Sequence, residues 1–224
     1  MPSLSDYLRS SIWARDLSAE VLERVCAESF EKASPAGGYV CRRGEPVEHW
    51  IGVVEGLLKI CANSPDGRTM TFTEISGGGW FGEGSLLKSD TRKYDAIALR
   101  PSHMALMPRA TFTWLLDSSI AFNRFLLNQL NERLAQFMAT VEYDRLLAPE
   151  ARIARCLAML FNPHLYPGIE ARLHLSQEEI GFLCGVSRQR ANQALRVLED
   201  AGLLKVEYGS ITALDVQGLM RFGE

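Results

Sequence analysis

The sequence predicts an α+β protein: a rolled antiparallel sheet, then a long helix, then a C-terminal winged helix-turn-helix. Three observations predict it. Short strand-like runs separated by glycines fill residues 35–108. Residues 110–147 then run without a proline or a glycine. Finally, VSRQRANQALRVLEDAGLLKV, residues 186–206, opens on a serine after one valine, settles into a leucine-rich helical rhythm and breaks at Gly202.

At 224 residues the chain is long enough for two modest domains, each with its own core. Its 47% hydrophobic and 23% charged residues are ordinary globular composition and exclude a disordered chain. A net charge of -3 does not point to nucleic acid, so any such role must rest on local charge. No apolar run approaches the roughly 18 to 20 residues of a membrane span. MPSLSDYLRSSIWARD lacks the apolar segment of a signal peptide. A cytoplasmic protein with no membrane partner is therefore expected. Five cysteines, Cys26, Cys41, Cys61, Cys156 and Cys184, are scattered without a CxxC pair. They are expected to be reduced, buried thiols rather than disulfides or metal ligands.

The first helical stretch is SAEVLERVCAESF, with Ser18 as its cap. The strand candidates are WIGVVEG, LLKICAN, MTFTEIS, YDAIALR and HMALMPR. Asp66-Gly67 between two of them is a hairpin signal. Many short strands punctuated by glycine close or roll into a sheet. In the long helix Leu127, Leu130, Leu134, Phe137 and Val141 recur at alternating steps of three and four, the spacing of a coiled-coil seam. That face either packs on the chain's own sheet or self-associates. Self-association as a homodimer is expected, with Leu126 and Met138 beside the seam. Pro149 ends the helix, because proline disfavours a helical residue before it. The expected domains are thus 1–109, 110–147 and 148–224. The last reads as the helix ARIARCLAMLF, the loop NPHLYPGIE, two helices joined by a turn, and two short strands.

The chemistry is concentrated in SQEEIGFLCGVSRQRANQALRVLED. Ser176 and Glu179 form a capping-box signature that starts one helix. Ile180, Leu183 and Cys184 give it an apolar face, and Gly181 permits close approach of a crossing helix. Gly185 suits the left-handed backbone of a tight turn, and Val186 plugs the angle between the helices. Ser187 caps the second helix, whose inner face is Ala191, Ala194, Leu195 and Leu198. This spacing is that of a helix-turn-helix. The N-terminal part of its second helix enters the DNA major groove. Arg188, Gln189, Asn192 and Gln193 fall on the outward side, with Arg190 near the rim. These are the residue types that pair with guanine (Arg) and adenine (Asn, Gln). Residues 180–198 hold three arginines and no carboxylate, a local charge of +3. In the hairpin that follows, LLKVEY and SITALD flank Gly209-Ser210, and Lys205 is a candidate phosphate contact. A merely solvated helix face is the plainer account of the polar residues, but the surrounding turn pattern favours double-stranded DNA as the partner.

Taken in order, GYVCRRG, GEPVEHWIGVVEG leading into LLKI, GGGWFGEGSLL, the seamed helix and the helix-turn-helix resemble the Crp/Fnr superfamily of bacterial transcription regulators. The resemblance covers nearly the whole chain. It implies an N-terminal cyclic-nucleotide-binding-like β-roll (a double-stranded jelly roll) that senses a small molecule, a dimerisation helix, and a winged helix. Dimers of this kind bind near-palindromic operators. RNA polymerase is a further partner wherever such a regulator activates. In relatives that bind cyclic AMP, the phosphate meets a Gly-Glu pair and an Arg-Ser pair about ten residues on, while the long helix offers Thr-Ser to the base. Gly82 and Glu83 match the first pair, followed here by Gly84 and Ser85. By direct count the second place reads Lys93-Tyr94, with Arg92 one residue earlier, and a one-residue slip reverses a strand side chain. Glu83 either accepts from a ribose hydroxyl or pairs with Arg92 or Lys93. The Thr-Ser place reads Phe137-Met138, which carry no hydroxyl. Each missing hydrogen-bond partner costs roughly 1 to 3 kcal/mol, so an effector other than cyclic AMP is expected.

The resemblance also implies departures. Iron-sulfur sensors carry a tight N-terminal cysteine cluster, absent from this sequence, so no such cluster is expected. Where relatives place Glu and Arg in the recognition helix, this chain has Gln189 and Gln193 and keeps Arg188. A different operator follows. A cupin-like metal enzyme would need clustered ligands, whereas His49, His103, His164 and His174 are isolated. No enzyme activity, catalytic residue or metal ligand is expected. A regulator that binds DNA constitutively, without an effector, is the alternative.

Overall fold

The computed structural model describes residues 3–64, 66, 69–169, 171–207 and 209–223. The chain divides into two compact units, Met1–Glu132 and Arg133–Glu224.

The first unit begins with α1 (Leu4–Ser10), a 3-10 turn (Ile12–Ala14) and α2 (Ala19–Glu28). Ser3 closes a capping box on α1, and Ser18 caps α2 by accepting from the Val21 amide. Strands β1 (Phe30–Ser34), β2 (Tyr39–Cys41), β3 (His49–Glu55), β4 (Leu57–Asn63), β5 (Thr69–Ser76) and β6 (Trp80–Phe81) follow. After a short α3 (Glu83–Leu87) come β7 (Asp95–Ala98) and β8 (Ser102–Pro108). They form two antiparallel four-stranded sheets, ordered β1-β8-β3-β6 and β2-β7-β4-β5. All five predicted strand runs are present. Asn63 pairs with Thr69 at the end of β4–β5, while Gly67 of the expected turn lies outside the described residues.

Strand alternation explains the two cores. Ile51, Val53, Met104 and Leu106 turn inward to meet Leu58, Ile60 and Ile75 of the other sheet. Their neighbours Trp50, Ala105 and Met107 turn to the opposite face, where the helices cover them. Trp13, Trp80, Phe112 and Phe122 surround Trp50 there, with ring centroids 4.4 to 5.8 Å from it for the last three and Trp13 together. Each such aromatic pair adds about 0.5–1.5 kcal/mol beyond its buried area.

The helical stretch expected over 110–147 is not one helix. It divides into α4 (Arg109–Ser118) and α5 (Ile120–Leu146), because Ser119 is extended at φ -129 and ψ 109. Its hydroxyl accepts from the Phe122 amide at 3.2 Å, and the Asn123 side chain donates to the Leu116 and Ser119 carbonyls. Serine and asparagine compete with helical hydrogen bonding in this way, which breaks the run without proline or glycine. Phe122, Leu126 and Gln129 of α5 are buried, and Gln129 donates to the Trp80 carbonyl. The predicted seam is a different stripe. Leu127 (66%), Leu134, Phe137 and Val141 are exposed, with Leu130 half-buried.

The second unit holds α6 (Pro149–Met159), β9 (Arg172–Leu173), α7 (Gln177–Cys184), α8 (Arg188–Asp200), β10 (Leu204–Glu207), β11 (Ser210–Ala213) and α9 (Val216–Arg221). Pro149 occupies the first turn of α6, where its missing amide costs nothing. The predicted hairpin β10–β11 gains a third strand, β9, on its other edge. Ile153, Leu157, Ile180, Leu195, Leu198 and Leu204 fill the core.

Candidate nucleic-acid interface and sensor site

Two places carry the predicted site residues, one in each unit. In the second unit, Ser176 accepts from the Glu179 amide while Glu179 accepts from the Ser176 amide at 2.6 Å, closing the capping box of α7. Gly185 then turns the chain at φ 62 and ψ 33. The Val186 amide donates to the Gly181 carbonyl at 2.9 Å. A Cβ on Gly181 would lie 2.9 Å from the Val186 carbonyl oxygen, so this glycine makes room for the turn's own backbone rather than for a crossing helix. Ser187 is extended and its hydroxyl accepts from the Arg190 amide at 3.3 Å, starting α8.

The amphipathic division of α8 follows the expected pattern. Ala191, Ala194, Leu195 and Leu198 are buried. Ser187, Arg188, Gln189, Arg190 and Gln193 are exposed, and Asn192 is half-buried. Arg188 borders a concavity of about 470 Å³ with Ser176, Gln177, Glu178, Glu207 and Ser210, so the start of α7, the start of α8 and the wing face one space. At the other end of α8, Glu199 accepts from the Val206 amide at 2.8 Å and fastens the wing to the helix.

Lys205, the candidate phosphate contact, stands exposed on the wing. Its ammonium lies 3.4 Å from Glu207, whose other oxygen takes Arg172 at 3.0 Å. Arg172 also donates to the Ser210 hydroxyl through Nε and Nη2, at 3.1 and 2.8 Å. Sequence reasoning missed this arginine because β9 is two residues long and has no periodic signal of its own.

In the first unit, Gly82 (φ 99) leads into α3 and brings Glu83 beneath the sheet. Glu83 is 2% exposed and accepts from the Trp50 indole Nε1 at 3.3 Å. Arg92 is 3% exposed, and its Nη2 donates to the His49 carbonyl at 2.7 Å. Its Nη1 rests over Gly82, where a Cβ would collide with it, and has no hydrogen-bond partner among the described residues. Lys93, the residue reached by direct count, is exposed and pairs with Asp90 at 2.7 Å. Tyr94 is half-buried with its ring 6.4 Å from Phe81. Gly84 is half-buried and Ser85 buried. The slip of one residue is therefore real: Arg92, not Lys93, turns inward. Phe137 and Met138 belong to the second unit's share of α5 and are both exposed.

His49 is half-buried, its ring set edge-on against Phe30, and burial pushes its imidazole below the ordinary value. Among the described residues, no three His, Cys, Asp or Glu side chains are grouped to hold a metal. Among the described residues, no helix is long and apolar enough to cross a membrane.

Comparison with known proteins gives this geometry a class. Residues 31–119 match the cyclic nucleotide-binding domain family, and residues 151–222 match the Crp-like helix-turn-helix domain family. The chain thus carries a cyclic nucleotide-binding domain followed by a Crp-like helix-turn-helix domain, the two parts of a Crp-like transcription regulator. It is 28% identical over 194 residues to a CRP-like cAMP-activated global transcriptional regulator of Mycobacterium tuberculosis, covering 84% of this chain and 85% of that one. It is 26% identical, with a TM-score of 0.63, to the structure of the c-di-GMP responsive global regulator CLP of Xanthomonas campestris, across 88% of this chain and 99% of the other. FixK2 of Bradyrhizobium japonicum, at 20% identity and a TM-score of 0.71 over 85% and 95% of the two chains, shares the fold.

Proposed function

We infer that the chain acts as a homodimer that reads a near-palindromic operator through α8, under the control of a small effector other than cyclic AMP. The observation that carries the reading is the exposed row Arg188, Gln189, Arg190 and Gln193 on a helix capped at the turn by Ser187. Arg188 reads guanine, and the two glutamines favour adenine. The exposed α5 seam of Leu127, Leu134, Phe137 and Val141 supports pairing of two copies, since such a stripe is otherwise left in water. The direct test is selection of binding sites from random DNA by the purified protein. Two half-sites centred about one helical turn apart support the reading; an unpaired site, or no enrichment, overturns it.

Support for an effector other than cyclic AMP comes from Lys93, which is turned to Asp90, from Glu83, which is bonded to Trp50, and from Phe137 and Met138, which offer no hydroxyl to a base. Titration calorimetry with cyclic AMP is expected to show no saturable heat at micromolar concentrations. A micromolar Kd would restore cyclic AMP as the effector.

The same commitments of Lys93 and Glu83 favour a second reading, an operator binder that needs no effector. DNA binding measured with and without the low-molecular-weight fraction of a cell extract separates the two. A change in affinity supports an effector, and an unchanged affinity supports the constitutive form.

A further inference from the structure

The concavity bordered by Arg188 has the size and lining of a small-molecule site. Its volume of about 470 Å³ falls within the roughly 300–1,000 Å³ that such sites occupy. Leu175, Ile180, Leu195 and Ile211 line it and are themselves buried, so aliphatic groups form its floor. Arg188 and Glu178 line it from exposed positions, one at the start of α8 and one in the first turn of α7. A surface that only holds DNA phosphates needs cations, hydroxyls and amides, and has no use for an aliphatic floor.

The polar groups say what fits. Neither Arg188 nor Glu178 has a side-chain hydrogen bond or an ion pair among the described residues. One space is thus bordered by an unused cation and an unused anion. Glu207, which also lines it, is committed to Arg172 and Lys205 at 3.0 and 3.4 Å. Ser210 is 2% exposed, and its oxygen accepts from Arg172 Nε and Nη2 at 3.1 and 2.8 Å. A hydroxyl oxygen that accepts twice still has its own proton to donate. Arg188 and Ser210 therefore offer donors to a carboxylate, and a guanidinium makes such bonds strong. A simple organic acid would leave Glu178 unmatched, and a simple amine would leave Arg188 unmatched. A zwitterion with an apolar body answers both charges and the floor.

We propose that this concavity binds a free α-amino acid with an aliphatic side chain. Its carboxylate takes Arg188 and Ser210, its ammonium takes Glu178, and its side chain lies over Ile180, Leu195 and Ile211. The site belongs to the second unit and is separate from the sensor residues of the first. On the operator reading proposed above, the bound amino acid occupies the Arg188 donors that base reading requires, and so competes with DNA.

The competition rests on that operator reading, but binding of the amino acid does not. The full-length protein is titrated by calorimetry with L-leucine, with 4-methylpentanoate, which lacks the ammonium, and with 3-methylbutylamine, which lacks the carboxylate. L-leucine is expected to bind with a Kd of about 1 mM or below, and each analogue about tenfold more weakly or worse. Nuclear magnetic resonance is expected to show leucine-dependent amide shifts at Ile180 and Ile211. Glu178→Gln, a change at an exposed position, is expected to weaken leucine binding about tenfold or more and to select the same operator as the unaltered chain. Leucine at about nine times its Kd is expected to weaken operator binding about tenfold, and to have no such effect on Glu178→Gln. The proposal is overturned by absence of saturable leucine binding up to about 10 mM, by analogues as tight as leucine, by shifts confined to the first unit, or by full leucine affinity in Glu178→Gln. If the protein selects no DNA, the operator reading fails, while the titrations and amide shifts still decide the amino-acid site.

Discussion

Two arginines in this chain sit beside left-handed glycines and end in opposite surroundings. Arg188 follows Gly185 by three residues and projects into solvent from the first turn of α8. Arg92 lies over Gly82 with almost no exposed surface, held by the His49 carbonyl. The solvated guanidinium keeps its donors for an incoming partner, whereas the enclosed one is pinned through Nη2 and leaves Nη1 without a partner among the described residues. Residue type near a glycine turn thus says little about use. What decides is whether the helix or strand carrying the arginine has a covered face at that position.

The comparison can be broken most forcefully at Gly82. Gly82→Ala places a Cβ at φ 99 and against the Arg92 guanidinium, combining backbone strain with overpacking. Urea unfolding should show a loss of about 3 kcal/mol in the first unit, and a loss of only about 1 kcal/mol, that of the backbone strain alone, would mean that Arg92 swings freely. Next in size is Arg188→Ala. It should leave unfolding unchanged but cost about 1 to 3 kcal/mol in operator binding and relax one position of the selected site. Unaltered selection at every position would remove Arg188 from base reading.

Ser187→Ala separates the frame of the reader from its contacts. Loss of the hydroxyl that accepts from Arg190 should lower stability by about 1 kcal/mol. Operator preference should stay as it was, as checked by repeating the selection. The smallest effect is expected from Lys205→Ala. With its ammonium already shared with Glu207, the variant should weaken binding uniformly across sequences and reduce the salt slope by at most about one. A larger change in slope would show that Lys205 leaves Glu207 on binding.

How far each region could be read from sequence follows the range of the forces that build it. The helix-turn-helix was legible down to Ser176, Gly185 and Ser187, because caps and positive φ angles are imposed by residues within four positions. The two-sheet roll was legible as a class from its strand runs. The inward residue of the 90–94 loop was not, since one residue of slack there is absorbed by the Ser89 backbone at φ 50 and the Pro46–Thr91 bridge. The break at Ser119 was missed because serine caps and serine within a helix look alike until the backbone departs. Strand β9 was missed for a different reason: a two-residue strand exists only by pairing with β11, a contact 38 residues away that no local pattern encodes.

The bond from the Val206 amide to Glu199 makes the hairpin an outrigger bolted to the far end of α8. On the operator reading proposed above, base choice is set at the helix start, near Arg188, and grip on the DNA backbone by the hairpin that Glu199 ties to α8. Descendants of this gene can therefore lengthen or recharge the hairpin tip to bind more tightly or loosely while reading the same bases. Strength and vocabulary are inherited on separate handles.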